Sequence, residues 1–194
     1  MIDGVLLEDL PYDDPDRIVS VWPVANFNRA LVRRFADEVP ALARVAGLSV
    51  WTGVLNGAGD PVELDVGRVS ADFFAILGVE PVLGRALRAE ETIPGNDAVV
   101  VLSHGLWQSR FGGDPETVGR TIRLSAADHR EHLVVGVMPA GFAPVREAAA
   151  WTPLSGDPAL STAQDTSWYV NWRIARLAEG ATVEQASEQV KALA

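Results

Sequence analysis

No apolar run in this chain approaches the roughly 20 residues that a membrane-crossing helix requires. The densest clusters, Ala98 to Leu102 ("AVVVL") and Leu133 to Met138 ("LVVGVM"), have the length of single strands. A chain built this way must bury its apolar side chains in layers of short strands and amphipathic helices. With 194 residues, 48% of them apolar, there is material for one generous domain or two small ones. The first residues, "MIDGVLLEDLPYDDPDRIV", lack the basic start and long apolar centre of a signal peptide, so the chain as it stands reads as soluble.

Charge and cysteine usage narrow the function classes. Sixteen Lys and Arg stand against 26 Asp and Glu, a formal charge of −10, which repels nucleic acid phosphates and anionic lipid headgroups. Nucleic acid and peripheral membrane partners are therefore set aside. The absence of cysteine removes disulfides, thiolate metal sites and cysteine nucleophiles.

Local patterns predict the elements. Ile18 to Trp22 has strand composition after the loop-like "DLPYDDPD". From Asn28 to about Ala46, Leu31, Phe35, Val39 and Leu42 recur at helical spacing, with Pro40 expected to kink or restart the helix. Ser49 to Leu55 and Val62 to Val69 read as strands around the turn "NGAGDP", so the first 60 residues look like β-α-β. Ser70 is expected to cap a short helix, "ADFFAIL", that stops at Gly78. Phe73, Phe74 and Leu77 share one face of it and anchor it to a core. Ala98 to Leu102 feeds a second cap, Ser103, and the helix "HGLWQSRF" that ends at Gly112-Gly113. Asp114-Pro115 opens one more turn. Thr121 to Leu124 and Leu133 to Met138 form a strand pair around "SAADHREH", closed by Pro139 and Gly141. Trp168 to Leu177 has strand character. Thr182 with Gln185 fits a capping box before a helix whose Val183, Ala186, Val190 and Leu193 line one face. That helix is still running at Ala194, as in a chain that has been cut.

Few residues suggest chemistry. "VLSHG", Val101 to Gly105, is similar to the nucleophile elbow of serine hydrolases, but Val101 stands where the tight turn needs glycine, so Ser103 reads as a helix cap. "GGDPETVGRT", Gly112 to Thr121, misses phosphate-loop spacing by one residue and has Arg120 in place of the lysine. His129 and His132 lead into a strand, where residues three apart face opposite ways, and read as surface histidines of a hairpin rather than zinc ligands. Glu90, Glu91, Asp13, Asp14 and Asp60 read as solvated charge. Trp22, Trp51, Trp107, Trp151, Trp168 and Trp172 are scattered, as core anchors are. Arg85 and Arg120 each follow a glycine and are expected to reach back to a carbonyl or carboxylate.

Taken together, "VSADFFAILGVEPVLGRAL", "VVVLSHGLWQSRFGGDPETVGRTIRL", "VVGVMPAGF" and "WTPL" resemble, in order and spacing, the MacB-like periplasmic core domain of FtsX-like ABC transporter permeases. "LPYDDPDRIVSVW" is similar to the segment after the first membrane helix of such permeases, and "RIARLAEGATVEQASEQVKALA" to the one leading toward the second. "SAADHREH" departs from the family's glycine-containing turn, and neither membrane segment is in the sequence, as in an excised domain or a natural truncation.

The resemblance implies an α+β fold. A porter-like β-α-β subdomain comes from both chain ends, residues 1–61 with 155–194, and carries an inserted α+β subdomain at 62–154. It implies a non-catalytic extracytoplasmic domain, needing no cofactor or metal. Its partners are the membrane helices of the same permease and a cytoplasmic ATPase, with a second permease copy or a periplasmic protein as further candidates. The isolated piece is expected to be monomeric. The structural signature it assigns is Phe73, Phe74, Gly78, Pro81, Gly84, Arg85, Ser103, Trp107, Gly119, Arg120, Pro139 and Phe142. The rival expectations are a soluble periplasmic binding or adaptor module and, behind it, a hydrolase using Ser103.

Overall fold

The computed structural model describes residues 2–3, 12–21, 29–125, 130–142, 148–155 and 172–193. Along the chain these form β1 (Ile2–Asp3), β2 (Ile18–Val21), α1 (Arg29–Glu38), β3 (Leu42–Asn56), β4 (Val62–Val69), α2 (Phe73–Leu77) and β5 (Leu83–Gly84). They continue with β6 (Val99–Leu102), α3 (His104–Phe111), β7 (Thr121–Ser125), β8 (Glu131–Val137), β9 (Ala150–Pro153), β10 (Trp172–Leu177) and α4 (Val183–Leu193). The fold is α+β. Residues divide into two compact units, one drawn from 1–49, 72–79 and 156–194, the other from 50–71 and 80–155.

In the first unit the strands run in the order β1-β2-β10-β3. β10 is antiparallel to both neighbours, with Ile174 opposite Ser20 on one side and Ala46 on the other. β2 and β3 are therefore parallel and linked through α1, with the later strand laid between them, a split β-α-β arrangement. Both faces of this sheet are covered. Ile174, Ala175 and Leu177 of β10 are all buried, as are Phe35 of α1 and Ala186 and Val190 of α4. The capping box forms: the Thr182 N–H donates to Gln185 Oε1 (3.0 Å) and the Gln185 N–H to Thr182 Oγ1 (3.3 Å).

α1 corrects the expectation of a helix through Ala46. It ends at Glu38, and Leu42 already begins β3. Proline at 40 disfavours helical backbone at Val39 and supplies no N–H to continue the ladder. Beyond it the β-strand pairs with β10 and buries Leu42, Val45, Ala46 and Leu48. The apolar residues that mimicked a helical period there are those of a strand buried on both faces. The expected strand ends at Trp22 and 168–171 lie outside the described residues, as do the turn at 126–129 with His129 and the side chain of Leu31.

The second unit closes on itself. β3 pairs with β4, β4 with β9, β9 with β6, β6 with β8, β8 with β7, and β7 returns to β3 through Val54, Leu55 and Asn56. Six strands thus form a barrel, parallel at β4–β9 and β6–β8 and antiparallel at β3–β7, β7–β8 and β6–β9. Leu55, Leu64, Val66, Val100, Leu102, Ile122, Leu124, Val134, Val137 and Ala150 pack together as its core, joined by Leu106 of α3. Alternate positions of β3, β4 and β7 point inward, which is why those sequences alternate.

Candidate functional site

The twelve signature residues do not converge on one cleft. Phe73, Phe74 and Gly78 belong to the first unit, the other nine to the second. Phe73 and Phe74 are fully buried, with ring centroids 5.5 Å apart in an edge-to-face pair. Gly78 ends α2 in the left-handed conformation (φ 67°), and a Cβ there would lie 2.5 Å from that of Asp13. Ser70 does not cap this helix. Asp72 holds the N-cap position without a side-chain cap bond, and its carboxylate pairs instead with Arg44. At the other end Arg176 donates through Nε to the Ile76 carbonyl (2.9 Å) and through Nη2 to the Asp13 carbonyl (2.6 Å).

Pro81 precedes a close backbone crossing in the second unit. Leu83 and Gly84 pair with Val137 and Gly136. Gly84 has φ 72°, and a Cβ on it would overlap the Val135 carbonyl oxygen, so only glycine fits. Arg85 then turns back as expected, onto Glu91 Oε1 (2.5 Å), Glu91 Oε2 (3.1 Å) and the Ala86 carbonyl (3.0 Å). Glu91, expected to be solvated, is 6% exposed. Burial pushes its carboxyl pKa up, but hydrogen bonds from Arg85 and the Arg88 amide, with the charges of both arginines, outweigh this and hold it below the ordinary range. The polar sequence around it hid a bidentate partner six residues away.

Around α3 the signature residues are structural. Ser103 Oγ accepts the Leu106 N–H (3.1 Å), as a cap, and His104 stacks edge-on against Trp107. Trp107 Nε1 donates to the Asp114 carbonyl (2.9 Å), while Arg120 donates to Asp114 Oδ2 (2.5 Å). Asp114 thereby ties the end of α3 to the start of β7, and the Gly119 N–H donates to the Val134 carbonyl (2.8 Å). After β8, Pro139 accepts the Phe142 N–H (3.2 Å), and the Phe142 ring meets the buried Trp151 at 5.2 Å. His132 is buried rather than on the surface, its Nδ1 3.2 Å from the Arg130 carbonyl oxygen, because its barrel position is enclosed.

Two features were not singled out in the sequence. Asp97 receives both terminal nitrogens of Arg130 (3.1 and 3.2 Å) and the Ser155 hydroxyl, joining residues far apart in the chain. Burial raises its carboxyl pKa, but the Ser155 and Arg130 hydrogen bonds prevail and lower it. A cleft of about 490 Å³ is lined by Asn56, Arg123, Ser125 and Glu131. Its polar groups bond one another, Asn56 with Ser125 (3.0 Å) and Arg123 with Glu131 (3.0 Å). Among the described residues no group of three His, Cys, Asp or Glu could hold a metal, and no helix is long and apolar enough to cross a membrane.

Solved structures share this architecture. The periplasmic region of MacB from Actinobacillus actinomycetemcomitans matches with a TM-score of 0.64 at 14% identity, over 84% of this chain and 72% of that one. The extracellular domain of the ABC-type transporter YknZ from Gram-positive bacteria matches at 0.63 and 12% identity, over 84% and 78%. No curated protein matches the chain in a sequence comparison. The family model of the MacB-like periplasmic core domain spans residues 2–193, so the chain belongs to the MacB-like periplasmic core domain family.

Proposed function

We propose that this chain works as the extracytoplasmic part of an ABC transporter permease, non-catalytic in itself, relaying ATPase-driven movement of membrane helices to a substrate or partner outside the membrane. The observation that carries this reading is the placement of the two chain ends. β1 (Ile2–Asp3) lies against α4 (Val183–Leu193), so the first and last described elements belong to one compact unit. Paired membrane helices need that placement to move one rigid body. In this reading the first unit is the porter-like part and the second is carried by it. The partners are the permease's own membrane helices and a cytoplasmic ATPase, and a second permease copy or a periplasmic protein completes the assembly. The engaged hydroxyl of Ser103 supports a scaffold over a hydrolase.

The test is to express the full reading frame that carries this sequence and to fractionate the cells. Recovery in the membrane fraction, released by detergent together with an ATPase, is expected. Recovery as a soluble protein would overturn the reading and put the periplasmic binding or adaptor module in its place.

A further inference from the structure

A helix of five residues does not hold its own shape, because nucleation costs more than so few hydrogen bonds return. α2 is therefore kept in place by what surrounds it. Phe73, Phe74, Ile76 and Leu77 bury its underside. Its two ends are gripped by arginines that face each other across the sheet, for Arg44 of β3 is the register partner of Arg176 of β10. Arg44 pairs with Asp72 before the first turn, and Arg176 binds the Ile76 carbonyl near the last. The cation at the C-terminal end and the carboxylate at the N-terminal end both suit the helix dipole.

Arg176 has a second hold. Its Nη2, 2.5 Å from the Ile76 carbonyl oxygen, is also 2.6 Å from that of Asp13. The next residue, Asp14, is the one described non-glycine residue with positive φ (46°, ψ 63°), and it precedes Pro15. Left-handed backbone is disfavoured for a residue with a Cβ, though less for aspartate than for most, so the surroundings help to hold this turn. Gly78 supplies the close packing from the other side, since even a Cβ there would strike Asp13.

We propose that Arg176 is a latch that fastens the Asp13–Asp14 turn and α2 to each other, so that the two segments are held or released together. One guanidinium bridges two carbonyls from segments that are more than 60 positions apart in the sequence, and both segments depend on it for their shape. In a permease the turn stands on the N-terminal arm, and displacing that arm would free α2; only this last step rests on the transport reading.

Hydrogen exchange on the 194-residue chain tests the latch. The turn is read at the Arg17 and Ile18 amides, bonded to Asp14 and Pro15, and α2 at the Ile76 and Gly78 amides, bonded to Asp72 and Phe74. Met138, bonded to Leu102 in the second unit, is the reference. Arg176→Gln is expected to speed exchange at both segments by about tenfold or more, with the reference unchanged. Acceleration of only one segment in Arg176→Gln, or of neither, overturns the latch. If Arg176→Gln exposes the reference amide, Arg176→Lys carries the test. A lysine ammonium carries three donors and can stand in for Nη2, which alone touches both carbonyls. The two segments are therefore expected to keep or lose their protection together, and acceleration of one segment alone would overturn the proposal.

Discussion

Glu91 keeps its charge while buried because the Arg85 fork and the Arg88 amide supply donors for both of its oxygens. Its carboxyl pKa is lowered in the folded chain. The stability it contributes is therefore fully present above the ordinary glutamate value of about 4.3 and is lost as pH falls through the lower folded value. Glu91→Gln is expected to cost about 1.5–3 kcal/mol at neutral pH. In urea unfolding the gap from wild type should close below pH 4; a gap independent of pH would refute the ion pair's role. Phe74→Ala should cost about 3–5 kcal/mol, since the ring is 2% exposed. An unchanged melting midpoint would contradict that burial. At this scale the arginines after glycines were legible, because a tight turn leaves a long side chain nowhere to go but back. Glu91 and His132 were not, since burial of a polar residue depends on partners that local sequence does not show.

Caps were the most legible elements. Ser103 and Thr182 each sit before an apolar periodic run with the acceptor geometry that a first turn requires, and both bonds form. Ser103→Ala is expected to cost about 1 kcal/mol, measured by urea unfolding. A loss of several kcal/mol would mean that the hydroxyl does more than cap α3. Ser70 failed as a cap because the chain runs on two residues before turning helical. The boundary between α1 and β3 misled for another reason. A strand buried on both faces has no polar alternation, so its apolar residues fall into whatever period the reader extends from the helix before it.

For the molecule, an amphipathic pattern shows that a face is buried but not against what. The sequence marks α2 as core-facing, yet its neighbours in the chain, residues 50–71 and 80–155, belong to the other unit. A Val50–Ser155 fragment retains five barrel strands whole and the Val50–Asn56 part of β3 that pairs with β7, and is expected to fold, but with the apolar face of α2 exposed it should self-associate on size exclusion. Replacing residues 72–79 by a Gly-Ser linker should return it to a monomer. Association that persists in the linker variant would place the sticky surface elsewhere. Residues 80–155 alone lack β3 and β4, leaving β9 and β7 each with one edge unpaired and the ring open, and should show no cooperative unfolding.

Closure of the barrel also restricts how anything can bind it. Each of its six strands already has a neighbour on both sides, so the ring itself presents no free edge strand for an incoming peptide to extend. Recognition at this unit is left to side chains and connecting loops, the parts of a barrel that vary without disturbing its closure. Relatives with the same ring could thus diverge in what they grip while sharing one way of being built.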